Sequence, residues 1–282
     1  MKLKKCVIVI GTIIILVLAC GIKGKIDLKY LYAGIIYGSK NAVGSELFFS
    51  KNNGFYEEPF YLKIYAPSEE IYYTLDGSEP TKESKRYTTP ILIEDASKNE
   101  NTHSMRTDLS SGFVAEDDRY QVPEYLIDKC TIIKVAYYDK DGVKSNIEER
   151  VYFVGFDDKS GYDDVNIISV TCEPSDLFGE EQGIYVLGDT YQKFLSSGIE
   201  EDTWALWGAN YRNRGRSWER EARINVFNTD RENVLSQKVG IRIQGGVSRG
   251  YYPKSLNFFA RSEYGDNRLR YDFWGTGYYP KR

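Results

Sequence analysis

Histidine is almost missing from this sequence: His103 is the only one in 282 residues, and it stands in a polar, loop-like stretch. A Ser-His-Asp or Cys-His mechanism therefore has almost no material to work with. Cysteine is scarce as well. Cys6 and Cys20 fall in an N-terminal apolar run and Cys130 and Cys172 lie beyond it, with no C-x-x-C pair to suggest a structural zinc. Cys130 and Cys172 read either as one disulfide of an exported chain or as two separately buried thiols. Neither G-x-G-x-x-G nor a Walker sequence is present, so both named phosphate loops are absent. There is no recognition helix, RNP-type aromatic motif or zinc finger, and no nucleic-acid partner is expected. The acidic pairs Glu57-Glu58, Glu69-Glu70 and Asp117-Asp118 lack the order of an EF-hand loop. They read as solvated turns, and no metal site is expected from them.

What the chain does contain is 41% hydrophobic and 15% aromatic residues, enough for two cored domains at this length. Its formal charge of −4 hides a division. Residues 1–25 carry five Lys and no acid, residues 26–207 carry 17 basic and 34 acidic groups, and residues 208–282 carry 15 and 7. The basic C-terminal segment fits either an anionic ligand, phosphate-bearing ones included, or a docking surface for the acidic part. Met1 to Lys5 is basic, and Cys6 to Ile22 is a 17-residue run without a charge. The expectation is an uncleaved membrane anchor over residues 1–25 with the bulk of the chain extracytoplasmic, or else a lipoprotein processed at Cys20 or a secreted form. Residues 26–54, interrupted by Gly34, Gly38, Gly44 and Gly54, read as a stalk.

From residue 55 to 156 the chain turns to short strands rich in Tyr, Ile and Val, with Asp76-Gly77 and Asp141-Gly142 as turn signals. That pattern predicts a β-sandwich. Tyr73-Thr-Leu-Asp-Gly-Ser-Glu-Pro-Thr81, Tyr87-Thr-Thr-Pro-Ile91 and Lys134-Val-Ala-Tyr resemble the chitobiase/β-hexosaminidase C-terminal-type module. The resemblance implies an immunoglobulin-like accessory domain of exported bacterial proteins, without a catalytic site. Residues 98–121 look like a polar insertion. Tyr72, Tyr73, Tyr137 and Tyr138 form either a sugar-stacking surface, for cell-wall glycan, or half-buried strand positions.

Residues 157–164 read as a polar linker. Beyond it, strands are predicted at 165–174, 183–188 and 222–227, with a helix-compatible crossover at 189–206. Then comes the most chemically loaded stretch, Gln237 to Arg261. Val239, Ile241 and Ile243 alternate with polar and small residues, and Leu256, Phe258 and Ala260 repeat the pattern after a turn rich in glycine and basic residues. Read alone, this is either an ordinary hairpin or a cradle for phosphate. The succession Asp176-Leu-Phe, Gly183-Ile-Tyr-Val186, Asn210-Tyr211, Arg214-Gly215, Trp218-Glu219-Arg220, Gly240-Ile-Arg-Ile-Gln-Gly-Gly246 and Lys254-Ser255-Leu256 resembles the CotH kinase family of spore-coat proteins. The resemblance spans about residues 165–274 and only the N-terminal part of the family's domain. It implies a partial α+β kinase-like domain over 165–282 and transfer of phosphate from ATP, with Mg, to Ser residues of a secreted or coat protein. On that pattern Lys254 is the phosphate contact, Arg242 and Arg249 add charge, Gly245 and Gly246 cover the nucleotide, and Glu219 pairs with one of the cations or forms a surface salt bridge. The lobe holding the metal-binding aspartates is expected beyond Arg282, since Asp266 and Asp272 come too early for that role. Little phosphoryl transfer is then expected of these residues alone. The competing reading is a non-enzymatic cell-surface or spore-coat protein. In fold class the chain is mainly β with some α: an anchor, an immunoglobulin-like sandwich, and a partial kinase-like unit.

Overall fold

The computed structural model describes residues 47–110, 123–157, 159–198 and 208–281. The anchor expected at 1–25 lies outside them. No helix among the described residues is long and apolar enough to cross a membrane.

Nine strands form the first unit: β1 (Phe48–Phe49), β2 (Gly54–Tyr56), β3 (Phe60–Leu62), β4 (Ile64–Tyr65), β5 (Ile71–Thr74), β6 (Lys85–Arg86), β7 (Ile91–Ile93), β8 (Thr131–Tyr137) and β9 (Glu148–Val154). One layer is a five-stranded sheet in the order β2-β9-β8-β5-β6, with β2 parallel to β9 and the other pairs antiparallel. Facing it are two strand pairs, β1-β4 and β3-β7. Ile133, Val135 and Tyr137 of β8 and Tyr152 and Val154 of β9 point to one side, where they pack on Phe49, Leu62, Ile64 and Ile93. This is a β-sandwich built by period-2 alternation. Leu47 and Phe49 sit in that core, so the chain has left the expected stalk by residue 47. Two turns are fixed by Asp side chains. Asp76 Oδ1 accepts from Ser78 N at 3.0 Å, and Asp139 Oδ1 accepts from Asp141 N at 2.9 Å and Val143 N at 2.8 Å.

The second unit is a four-stranded antiparallel sheet in sequential order: β10 (Ile167–Cys172), β11 (Arg220–Phe227), β12 (Asn233–Ile243) and β13 (Leu256–Phe259). Between β10 and β11 lie the short helix α1 (Pro174–Phe178), with Pro at its first turn, and α2 (Gly188–Ser196). Ala222, Ile224 and Val226 of β11 and Val239, Ile241 and Ile243 of β12 face one core with Ile184, Tyr191 and Tyr211. The strand expected at 183–188 does not form. Its amides bond to the α1 segment instead, Ile184 N to Asp176 O and Tyr185 N to Leu177 O, both at 2.9 Å, so the run Gly183-Ile-Tyr-Val is a packed loop. A short apolar run carries no period that separates these outcomes.

The other faces of the two large sheets meet each other. Phe55 stacks on Phe153 at 4.5 Å between centroids, and Phe227 of the second unit stands edge-on to both, at 5.5 and 5.3 Å. Phe156 completes the cluster. Beside it lies a buried polar bridge. Glu149 Oε1 accepts from Thr171 Oγ1 and Asn225 Nδ2, each at 3.1 Å, and Asn53 Nδ2 donates to Asn225 Oδ1 at 3.2 Å. The expected linker is also tied down. Arg231 pairs with Asp157 and Asp163, and Lys159 with Asp95 and Asp128. Cys130 and Cys172 are both free thiols. They pack in different clusters, and burial pushes them up to about 11 and about 12. That chooses the two-thiol alternative and makes both unreactive at neutral pH.

Phe227→Ala is expected to destabilise the chain by about 3–5 kcal/mol, the usual cost of emptying a buried aromatic site. A urea melt of the variant checks this, and a loss below 1 kcal/mol would mean that the aromatic joint is loose.

Candidate anion site

The hairpin between β12 and β13 is closed by Gln244 N bonding to Ser255 O at 2.8 Å. Gly245 then adopts φ +113°, a backbone conformation that requires glycine. At Gly246 a Cβ would meet nothing within 4 Å, which leaves the tip of the loop open. A 3-10 turn follows at Val247–Gly250, and the chain returns through Tyr251 and a cis Tyr252-Pro253 bond to Lys254.

Four cations converge on this loop. Lys254 Nζ donates to Arg249 O at 2.8 Å and Tyr251 O at 3.1 Å, and lies over the rings of Tyr211 at 4.0 Å and Tyr185 at 5.6 Å. The Arg249 guanidinium donates to Gly245 O at 2.9 Å, Tyr211 O at 3.0 Å and Asn213 O at 3.1 Å. Arg212 Nη1 donates to Gly246 O, and Arg214 Nη2 to Gly245 O at 3.2 Å. Arg212, Arg249 and Lys254 are buried, while Arg214 is exposed. Because C=O and N–H point opposite ways across a trans peptide, carbonyls drawn inward at Gly245 and Gly246 turn the next two amides, Gly246 and Val247 N–H, outward at the exposed tip. Outward amides in a glycine turn form an anion-accepting concavity.

Electrostatics separates this cluster from an ordinary salt-bridge network. Burial, with Arg212 adding repulsion, pushes Lys254 down to about 7. Burial likewise pushes Arg249 down to about 10, helped by Arg214, Arg212 and Arg242. No carboxylate is among the described groups acting on either residue. Burying a cation against neutral carbonyls and rings is costly, and an anion would offset part of that cost.

Sequence reasoning places Lys254, Arg249, Gly245 and Gly246 here, and the structure brings these four together. Lys254 differs in position. Its ammonium is turned into the loop's own carbonyls, not toward solvent. Arg242 stands on the sheet face with Glu219, 3.5 Å from its Oε2 and stacked 4.0 Å over Phe259. Glu219 is not a surface residue. Arg261 grips it with two bonds of 2.8 Å, Tyr264 donates at 3.0 Å, and Arg216 adds a third cation. A Cβ at position 240 would lie 2.2 Å from Glu219 Oε1, which is why Gly240 sits beneath it. Arg212 and Arg214 join the site from outside the hairpin, and the basic string Asn210-Tyr-Arg-Asn-Arg214 is the sequence signal that carries both. Asp266 bonds Arg270 at 2.7 Å, and Asp272 caps the turn at Trp274 N, 3.2 Å away. Among the described residues no group of three His, Cys, Asp or Glu converges to hold a metal ion. On the first unit, Tyr137 and Tyr73 belong to the sandwich core, and Tyr72 meets Tyr138 edge to face at 5.7 Å.

The nine strands and the Asp-Gly turns of the first unit describe an immunoglobulin-like module. Residues 60–152 match the family model described as Fn3 associated. The match spans β3 to β9 and stops short of the sheet that carries the cation cluster. No curated protein and no solved structure matches the chain.

Glu219 is held ionised below the usual carboxylate range, because its bonds to Arg261 and Tyr264 and the charges around it outweigh its burial. A depressed carboxylate contributes stability above its unfolded pKa and loses it as pH falls through the folded value. Glu219→Gln is therefore expected to cost about 3 kcal/mol at pH 7, with the deficit shrinking in acid. Urea melts at pH 7 and pH 3 check this; an equal deficit at both would contradict the charge account.

Proposed function

We propose that this chain is a membrane-anchored, extracytoplasmic CotH-like protein whose second unit binds the phosphates of a nucleotide, ATP in the kinase reading, on the Gly245–Lys254 loop. The observation that carries the proposal is the convergence of buried Lys254 and Arg249, without a described carboxylate, on a glycine turn whose Gly245 and Gly246 carbonyls are taken by arginines. Phosphate at the tip would take the Gly246 and Val247 N–H groups and the exposed Arg214. Arg249, Arg212 and Lys254 would supply positive field from behind and hold the turn in shape. The apolar run from Cys6 to Ile22 and its flanking lysines support the location, and an extracytoplasmic position makes a secreted or coat protein the partner to which phosphate would be delivered.

The residues fit phosphate better than they fit magnesium. Among the described residues no cluster of acids stands ready to hold that metal, and the function proposed is phosphate binding. A glycan-binding role for the module has less support, since Tyr73 and Tyr137 are committed to the core and Tyr72 to Tyr138.

ATP is expected to raise the melting temperature of the full chain, and Lys254→Ala to remove the shift. Because Lys254 loses its proton near pH 7, affinity for inorganic tripolyphosphate is expected to fall as pH rises from 7 to 9, facing as it does Arg212, Arg249, Tyr185, Tyr211 and Tyr251. Ionisation of the ligand alone would give the opposite trend. Thermal shift and titration calorimetry check both; no shift in the wild type would overturn the reading.

A further inference from the structure

The described part of the polar insertion that follows β7, residues 98–110, belongs to neither sheet, yet it reaches the second unit at several points. After a 3-10 turn at His103–Met105, the His103 ring lies flat on Phe178 with centroids 4.6 Å apart. Asp108 O then accepts from Leu187 N at 2.9 Å, and the buried Ser110 Oγ donates to Gly250 O at 2.6 Å. Leu109, between them, is 1% exposed. Gly250 ends the turn that carries Arg249, and the neighbouring carbonyl, Arg249 O, is the one that Lys254 holds. The first unit therefore grips the candidate anion loop directly at its base.

We infer that Ser110 is a positioning residue for the anion site, and that the insertion of the immunoglobulin-like module holds the Gly245–Lys254 loop in its anion-accepting shape. This rests on the anion-site reading. The physical ground is that the loop is built around glycines, which leave it many alternative shapes to lose. Gly245 and Gly246 are steadied by arginines of the second unit, but Gly250 O takes its bond from the first. A buried carbonyl left without that donor would seek another, and the turn bearing Arg249 would shift with it. The module is on this account a structural part of the site, not a tethered accessory.

The test uses the full chain with inorganic tripolyphosphate as probe and hydrogen exchange of residues 245–254 as a second readout. Ser110→Ala is expected to weaken binding roughly three- to tenfold and to speed exchange in the loop without ligand. The pH midpoint of binding should also move up, because a loosened loop admits water to Lys254 beside Arg212, Arg249, Tyr185, Tyr211 and Tyr251. A loss of general stability alone would leave that midpoint in place. His103→Ala removes an exposed contact of the same strut, so it tests the idea should Ser110→Ala fold poorly; a smaller weakening in the same direction is expected. Wild type that binds, with both variants binding equally well at an unchanged midpoint, would overturn the inference alone. Wild type that does not bind tripolyphosphate would overturn the anion-site reading and this inference with it.

Discussion

The arrangement depends on one constraint: the five-stranded sheet of the first unit is covered on both faces. Its inner face closes the sandwich through Val135, Tyr152 and Val154, and its outer face gives Val151 and Phe153 to the joint with Phe227. A sheet with two apolar faces cannot leave either to water without losing a large part of its burial energy. The second unit is thus the lid of the first, and the polar groups trapped beside the phenylalanines must satisfy one another. Glu149 shows the cost. Burial raises its pKa although Arg223, Thr171, Lys134 and Asn225 all favour its ionised form, so ionising it carries a penalty that eases as pH falls through its folded value.

That fixed joint has consequences for the loop more than one layer away. With the two sheets clamped, the insertion after β7 reaches α1, the Leu187 turn and Gly250 with a defined offset, so the turn bearing Arg249 is held from both units. The two ionic centres of the second unit then divide their roles. Around Glu219, cations meet a carboxylate and the result is structural: a buried charge with full hydrogen bonding that explains Gly240 and anchors β13 through Arg261. Around Lys254 and Arg249, cations meet carbonyls and aromatic rings, and no carboxylate is among the described groups acting on these two. Buried cations without a carboxylate among their described neighbours are the ground for the proposed anion site.

Much of this was readable in the sequence where a period of two separates inside from outside. Val239, Ile241 and Ile243 are all buried on the face the alternation assigns them, and the Asp76-Gly77 and Asp141-Gly142 turns fall between strands, with positive φ at both glycines. Gly245, Gly246, Arg249 and Lys254 were legible as a basic glycine turn, because local composition alone brings them together. The joint was not. In Arg150-Val-Tyr-Phe-Val154 consecutive residues are apolar, so the pattern states that both faces are covered but not by what. Arg212 and Ser110 lie far from Gly246 and Gly250 in the chain and meet them only through the fold. Residues 98–121 read only as a polar insertion for the same reason, since polar composition does not distinguish a strut from a tether.

The most direct test of the two-faced sheet is native-state hydrogen exchange of the full chain, following the amides of β8 and β9 together with those of β10 to β12. If the units share one core, both sets exchange through a single opening of equal free energy, and denaturant lowers the two in parallel. If the second-unit strands open at a clearly lower free energy while β8 and β9 stay protected, the units are independent, and the clamp on which the loop geometry depends does not exist.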